Sequence, residues 1–164
     1  LAGGRPVFAD IDRDSGNITP ATIAERITPR TRGILPVHLG GWPCDMPAIM
    51  DLANRHGLWV IEDCAQSHGA RIGDRPLGGF GTLGSYSFCQ DKIISTGGEG
   101  GMIVTDDDAL YDRIWSFKDH GKDRALVFAP DPPPACQNSR TRGPCPASHA
   151  AGAAGRPSSR TPRD

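Results

Sequence analysis

The six residues Leu58–Asp63, LWVIED, constrain the fold more than any other stretch of this chain. Four apolar residues run without alternation and end on two acids. A strand that faces water on one side alternates apolar and polar residues, so an unbroken apolar run marks a strand covered on both faces, as in a parallel sheet. The preceding DMPAIMDLANRHG supplies the crossover such a sheet needs. Asp45 suits the N-cap, Pro47 the first turn and Gly57 the stop, and Ile49, Leu52 and Ala53 fall on one helical face.

The same alternation of elements extends along residues 1–125. PVFADI (Pro6–Ile11) reads as a strand. PATIAERI (Pro20–Ile27) reads as a short helix capped by Thr19, with Pro20 in its first turn. GILPVHL (Gly33–Leu39) reads as a second strand. SYSFC (Ser85–Cys89) and GMIVT (Gly101–Thr105) read as two more. DALYDRIWSF (Asp108–Phe117) reads as a helix with Leu110, Ile114 and Phe117 inward. Strand and helix in turn predict an α/β fold, a mainly parallel sheet with helices on both faces. Residues 126–164 read differently. They are rich in Pro, Ala, Arg, Gly and Ser, with almost no large apolar side chain to offset chain entropy, and predict a disordered tail. The abrupt change is the composition that a frameshift in a GC-rich gene would produce.

Charge and cysteine content exclude several classes. The formal net charge is −1, which gives no bulk attraction to nucleic acid or to an anionic membrane. No apolar run reaches the roughly 18 residues of a membrane span, and the first residues lack the pattern of a signal peptide. The five cysteines are odd in number, without CxxC or metal-type clustering, which fits reduced thiols in a cytoplasmic protein and predicts no metal centre.

The chemistry concentrates in SFCQDKIISTGGEGGMIVTD (Ser87–Asp106). A phosphate-cradling P-loop needs its glycines before the lysine, and here Lys92 comes first. A dinucleotide turn opens a helix, whereas Gly97–Gly101 opens a strand. Both nucleotide readings fail on order. Ligands of open α/β sheets sit beyond the carboxyl ends of the strands. Asp63 and Gln66 lie at one such end, Ser87 sits on another strand, and Lys92 lies five residues further on. An acid, an amide, a hydroxyl and an amine there are the parts that a pyridoxal 5′-phosphate site needs.

At these residues the chain resembles a known family. VIEDCAQSHGA, GSYSFCQDK and GGEGGMIVT are similar to the DegT/DnrJ/EryC1/StrS sugar aminotransferases, as are PVFADID, the PVH segment, DMPAIMDLANRHGLWVIED and FKDHGK. The resemblance covers residues 1–124. It implies a partial large domain of fold type I with pyridoxal 5′-phosphate as cofactor. Lys92 would be the Schiff-base lysine and proton shuttle. Asp63 would pair with the pyridinium nitrogen, Gln66 would lie beside the ring, and Ser87 would bind the phosphate. His38, at the end of its strand, would stand near the cofactor. The glycines Gly97–Gly101 would admit a close backbone approach, and Glu99 receives no role. The implied reaction moves an amino group from glutamate to a nucleotide-linked keto-sugar, for surface polysaccharide or antibiotic synthesis, in a homodimer. A sugar dehydratase of the same superfamily carries His in place of Lys92. The family's N-terminal phosphate turn, its ring-stacking aromatic and its C-terminal small domain have no counterpart in these residues, so a catalytically inactive remnant is the alternative.

Overall fold

The computed structural model describes residues 3–130. They divide into two units, one ending at Tyr111 and the other beginning at Asp112. The reading of a disordered tail lies mostly outside the described residues.

The first unit is built on a four-stranded sheet. In chain order its elements are α1 (Pro20–Ala24), β1 (Gly33–Ile34), α2 (Met46–His56), β2 (Trp59–Asp63), β3 (Arg71–Ile72), β4 (Arg75–Pro76), β5 (Leu83–Ser87) and β6 (Gly101–Val104). The sheet order is β1-β2-β5-β6. β1 and β5 both run parallel to β2. β6 returns antiparallel to β5, pairing Ser87 with Gly101 and Gly84 with Val104. β3 and β4 form a separate two-stranded hairpin. The chain therefore has the mainly parallel sheet with helices that its pattern of elements predicts.

Local chemistry explains the element ends. The Asp45 side chain accepts the Ala48 N–H at the start of α2, and Gly57 ends it in the left-handed conformation, φ 62°. Thr19 caps α1 through Thr22 in a reciprocal pair. That helix is shorter than expected. After Ala24 the bonds tighten to i−3, from Arg26 to Ile23 and from Ile27 to Ala24, so the helix does not reach Ile27. The expected strand Gly33–Leu39 is also cut short. Pro36 lacks the N–H that the ladder needs, and only an isolated bridge, Val37 to Asp63, continues it. The expected strand Pro6–Ile11 is absent. Its one pairing is the bridge Ile11 to Ile18, and Phe8 stays 85% exposed, because no sheet edge lies against it.

The core lies on one face of this sheet. Ile34 and Val60 meet Ile23 of α1 and Met46, Ile49, Leu52 and Ala53 of α2, with Cys44, Cys64 and Leu77 around them. Alternation along the strands puts Leu35, Val37, Trp59, Asp63, Ser85, Ser87 and Ile103 on the opposite face. The apolar members of that set are exposed, Trp59 to 47%.

Helix α3 (Asp108–Lys118) begins in the first unit and runs into the second. It buries no residue, and Phe117, expected inward, is 91% exposed. The described part of the second unit adds α4 (Arg124–Val127), capped by Asp123. Within it the Trp115 and Phe128 rings meet edge to face at 5.8 Å, and Arg124 pairs with Asp112 at 3.5 Å. Among the described residues, no helix is long and apolar enough to cross a membrane.

Candidate cofactor site

The carboxyl ends of β1, β2 and β5 lie together, and the antiparallel return of β6 brings Gly101 to the same end. The loop Phe88–Gly100, which carries Lys92, leaves from and returns to that end. The register pairs Asp63 with Ser85, so the Asp63, Ser85 and Ser87 side chains share one face. An acid and two hydroxyls thus stand on one surface beside the lysine loop.

Each group keeps capacity for a ligand. Asp63 accepts the Ala65 N–H on Oδ1 at 3.0 Å, which leaves Oδ2. The Ser87 oxygen accepts the Cys89 N–H at 3.3 Å, so its own hydroxyl hydrogen is available to donate. Gln66 accepts the Gly40 N–H on Oε1 at 2.7 Å, which frees its NH2 as a donor. This bond fastens the turn Leu39–Gly41, whose backbone also crowds Gln66. A Cβ on Gly41 would lie 2.9 Å from the Gln66 carbonyl oxygen, and Gly41 holds φ +83°, so only glycine fits. Lys92 rests beside Asp91, Nζ to Oδ1 3.4 Å, and its side chain is 20% exposed.

His38 stands apart from this set. Alternation along β1 turns it to the core face, opposite Asp63. Its Nδ1 accepts the Cys44 N–H at 3.1 Å, which assigns the ring hydrogen to Nε2, and Nε2 lies 3.2 Å from Glu62 Oε2. With both nitrogens engaged and the side chain fully buried, the ring has no atom left for a cofactor. The sequence expectation is His38 near the cofactor; the structure places its ring on the core face, bonded to Glu62 and to the Cys44 amide.

Glu62 is the residue that the sequence did not single out. Its carboxylate is fully buried and gathers four donors. Oε2 takes His38 and the Gly78 N–H at 2.8 Å, and Oε1 takes the N–H groups of Phe80 at 2.7 Å and Gly81 at 2.6 Å. Burial alone would raise its pKa, but the bonds from His38, Gly81, Gly78 and Phe80 outweigh it and hold the carboxyl below the usual range. One carboxylate thereby ties the ends of β1 and β2 to the loop before β5. An acid inside an apolar strand, where a solvated acid has no place, was the available signal.

His38, Glu62 and Cys64 also place one donor atom each within 4.8 Å of one another. A metal-bound imidazole needs a lone pair on the ligating nitrogen. Here the backbone N–H at Nδ1 keeps the proton on Nε2, and burial pushes the Cys64 thiol up to about 11. The geometry is that of a hydrogen-bonded cluster.

The model of the DegT/DnrJ/EryC1/StrS aminotransferase family matches residues 1–128. A UDP-N-acetyl-3-dehydro-alpha-D-glucosamine 3-aminotransferase of Acidithiobacillus ferrooxidans is 49% identical over 119 residues, which are 73% of this chain and 32% of that protein. An aminotransferase structure from Psychrobacter cryohalolentis superposes with a TM-score of 0.78 at 55% identity, over 80% of this chain and 33% of that one. NtdA of Bacillus subtilis, solved with bound cofactor PMP, superposes with a TM-score of 0.70 at 38% identity, over 74% of this chain and 27% of the other. The chain spans about a third of the length of the curated relatives it matches. Sequence motifs, sheet topology and these likenesses agree, and the chain belongs to the DegT/DnrJ/EryC1/StrS aminotransferase family.

Proposed function

We propose that this chain carries the cofactor-anchoring part of a sugar aminotransferase that uses pyridoxal 5′-phosphate. The observation that supports this most is the common face of Asp63 and Ser87 at the strand ends from which the Lys92 loop leaves. Pyridoxal 5′-phosphate, when bound, supplies an electron sink for carbanion chemistry.

The residues divide the remaining work. Asp63, with Oδ2 uncommitted, holds a protonated ring nitrogen by a charge-assisted bond. Ser87 donates its hydroxyl to a phosphate oxygen. Gln66 offers its NH2 to an oxygen at the ring edge. Lys92 would anchor the cofactor through Nζ and would hold and move the proton at the substrate carbon. His38 acts at a distance, by holding Glu62. In this reading the donor is glutamate and the acceptor a nucleotide-linked keto-sugar. The assembly is a cytoplasmic homodimer that serves surface polysaccharide or antibiotic amino-sugar synthesis.

A second reading concerns the chain as it stands. The face that carries Asp63 also exposes Leu35, Val37, Trp59 and Ile103. A site on an open apolar face holds its ligand weakly, because water competes for every polar contact. On this reading the chain is a remnant without activity. The two readings separate when the purified chain is incubated with pyridoxal 5′-phosphate and desalted. Retained cofactor, lost in Lys92→Ala, supports the first. No retained cofactor supports the second.

A further inference from the structure

The GGEGG segment contains one acid that the reading of the site leaves without a task, Glu99. Its carboxylate Oε1 accepts the Cys89 thiol at 3.1 Å. Cys89 is the node of the lysine loop. Its amide N–H goes to the Ser87 hydroxyl oxygen at 3.3 Å, its carbonyl accepts the Lys92 N–H at 3.0 Å, and its thiol goes to Glu99. Ser87 at the end of β5 and Lys92 in the loop are thus both bonded directly to Cys89.

We propose that Glu99 is a positioning residue for Lys92, holding the lysine-bearing turn in place through the Cys89 thiol. The loop between Phe88 and Gly100 is otherwise closed at its neck by backbone and Thr96. The Phe88 N–H donates to the Gly100 carbonyl at 2.7 Å and the Thr96 N–H to the Phe88 carbonyl at 3.1 Å, while the Thr96 hydroxyl reaches the Glu99 carbonyl at 3.1 Å. Those bonds fix where the loop starts and ends. The turn Cys89–Lys92 is held to β5 through the Cys89 N–H and Ser87, and among the described residues no backbone bond joins it to residues 97–100. The thiol–carboxylate bond ties that turn to Glu99, two residues before β6. The chemistry suits a lasting bond. The Glu99 carboxylate, and after it that of Asp91, raises the Cys89 pKa, so the sulfur stays protonated and remains a donor at neutral pH. The proposal deepens the reading of Lys92 as anchor and rests on it.

The test uses the full chain and four variants: Glu99→Ala, Cys89→Ala, the double variant, and Cys89→Ser, which keeps a donor. Three quantities are read. These are amide exchange across residues 89–96 without cofactor, acetylation of Lys92 relative to Lys118 and Lys122, and the rate at which pyridoxal 5′-phosphate is trapped on Lys92 by borohydride. Each single alanine variant should speed exchange and Lys92 acetylation about two- to tenfold and slow trapping by a similar factor, the range of one hydrogen bond. The double variant should equal the singles, and Cys89→Ser should restore wild-type values. Multiplying effects in the double variant, or wild-type behaviour in the singles, would overturn the proposal. Faster exchange with unchanged Lys92 acetylation would also overturn it, since the pair would then brace the loop without positioning the lysine. If the wild-type chain traps no cofactor at all, the anchor reading fails while the acetylation ratio still decides the role of Glu99.

Discussion

His38 donates from Nε2 to Glu62 Oε2 at 3.2 Å, and neither side chain is exposed to solvent. This bond joins the end of β1 to the end of β2 beneath the surface that carries Asp63. Glu62→Gln keeps the shape but replaces one acceptor oxygen with an NH2. That group would face either Gly78 and His38 or Phe80 and Gly81, donor against donor in both cases. Leaving a buried donor without its acceptor costs about 1–3 kcal/mol. Urea unfolding of Glu62→Gln should show a loss of that order, with the slope of the transition unchanged.

The same cluster sets a pH dependence. The folded pKa of Glu62 lies below its ordinary value of 4.5, with burial opposing the shift and hydrogen bonds from His38 and the loop amides producing it. Its contribution to stability is therefore complete above about pH 4.5 and is lost as pH falls through the folded value. Asp12, lowered by the Ser15 amide, and Asp91, lowered by the Cys89 thiol, act in the same direction. Subtracting the stability profile of Glu62→Gln from that of wild type isolates the Glu62 part. The difference should be constant above pH 4.5 and shrink below it.

Gly84 is a packing requirement. A Cβ there would lie 2.5 Å from the Gly78 Cα and 2.7 Å from the Gly78 carbonyl oxygen, both backbone atoms that cannot rotate away. Gly78 itself holds φ +83° beneath the Tyr86 hydroxyl. Gly84→Ala should cost about 1–3 kcal/mol through forced backbone displacement. It should also loosen the Gly78 N–H bond to Glu62, visible as faster exchange of that amide.

The thiols should separate by reactivity. Burial, with a further push from the charge of Glu62, raises Cys44 to about 11, and burial raises Cys64 to about 11. Cys89 lies on the loop and is only partly buried. Glu99 raises the Cys89 pKa as well, so exposure decides: among these three, iodoacetamide near pH 8 should alkylate Cys89 slowly in the native chain. Cys44 and Cys64 should react only after unfolding, which peptide mass mapping would show.

Much of this arrangement is legible in the sequence, and the losses have physical reasons. α2 can be read because its cap, its apolar face and its stop agree, and β2 because its apolar run admits no other environment. The strand at Val7 and Phe8 fails because apolar residues do not form a strand without a neighbour to pair with. Phe117 fails because helical spacing identifies a face but not what covers it. The antiparallel return of β6 leaves no mark in its residues, since direction is set by pairing. The places of Asp63 and Ser87 at the ends of β2 and β5, and of Lys92 in the loop after β5, are legible in the order of the elements. His38 has its expected place after the first strand, while alternation from Val37 turns it to the core face. Glu62 escapes notice beside Asp63, although the pleat sends these two neighbours to opposite sides of the sheet.

The central claim is that Lys92 anchors the cofactor, and reductive trapping tests it most directly. The chain has three lysines, Lys92, Lys118 and Lys122. After incubation with pyridoxal 5′-phosphate, borohydride reduction and proteolysis, mass spectrometry should find the phosphopyridoxyl group on Lys92. Asp63→Asn should need about ten- to a hundredfold more cofactor for the same yield, the worth of a charge-assisted hydrogen bond. Label spread evenly over all three lysines, or unaffected by Asp63→Asn, would contradict the account.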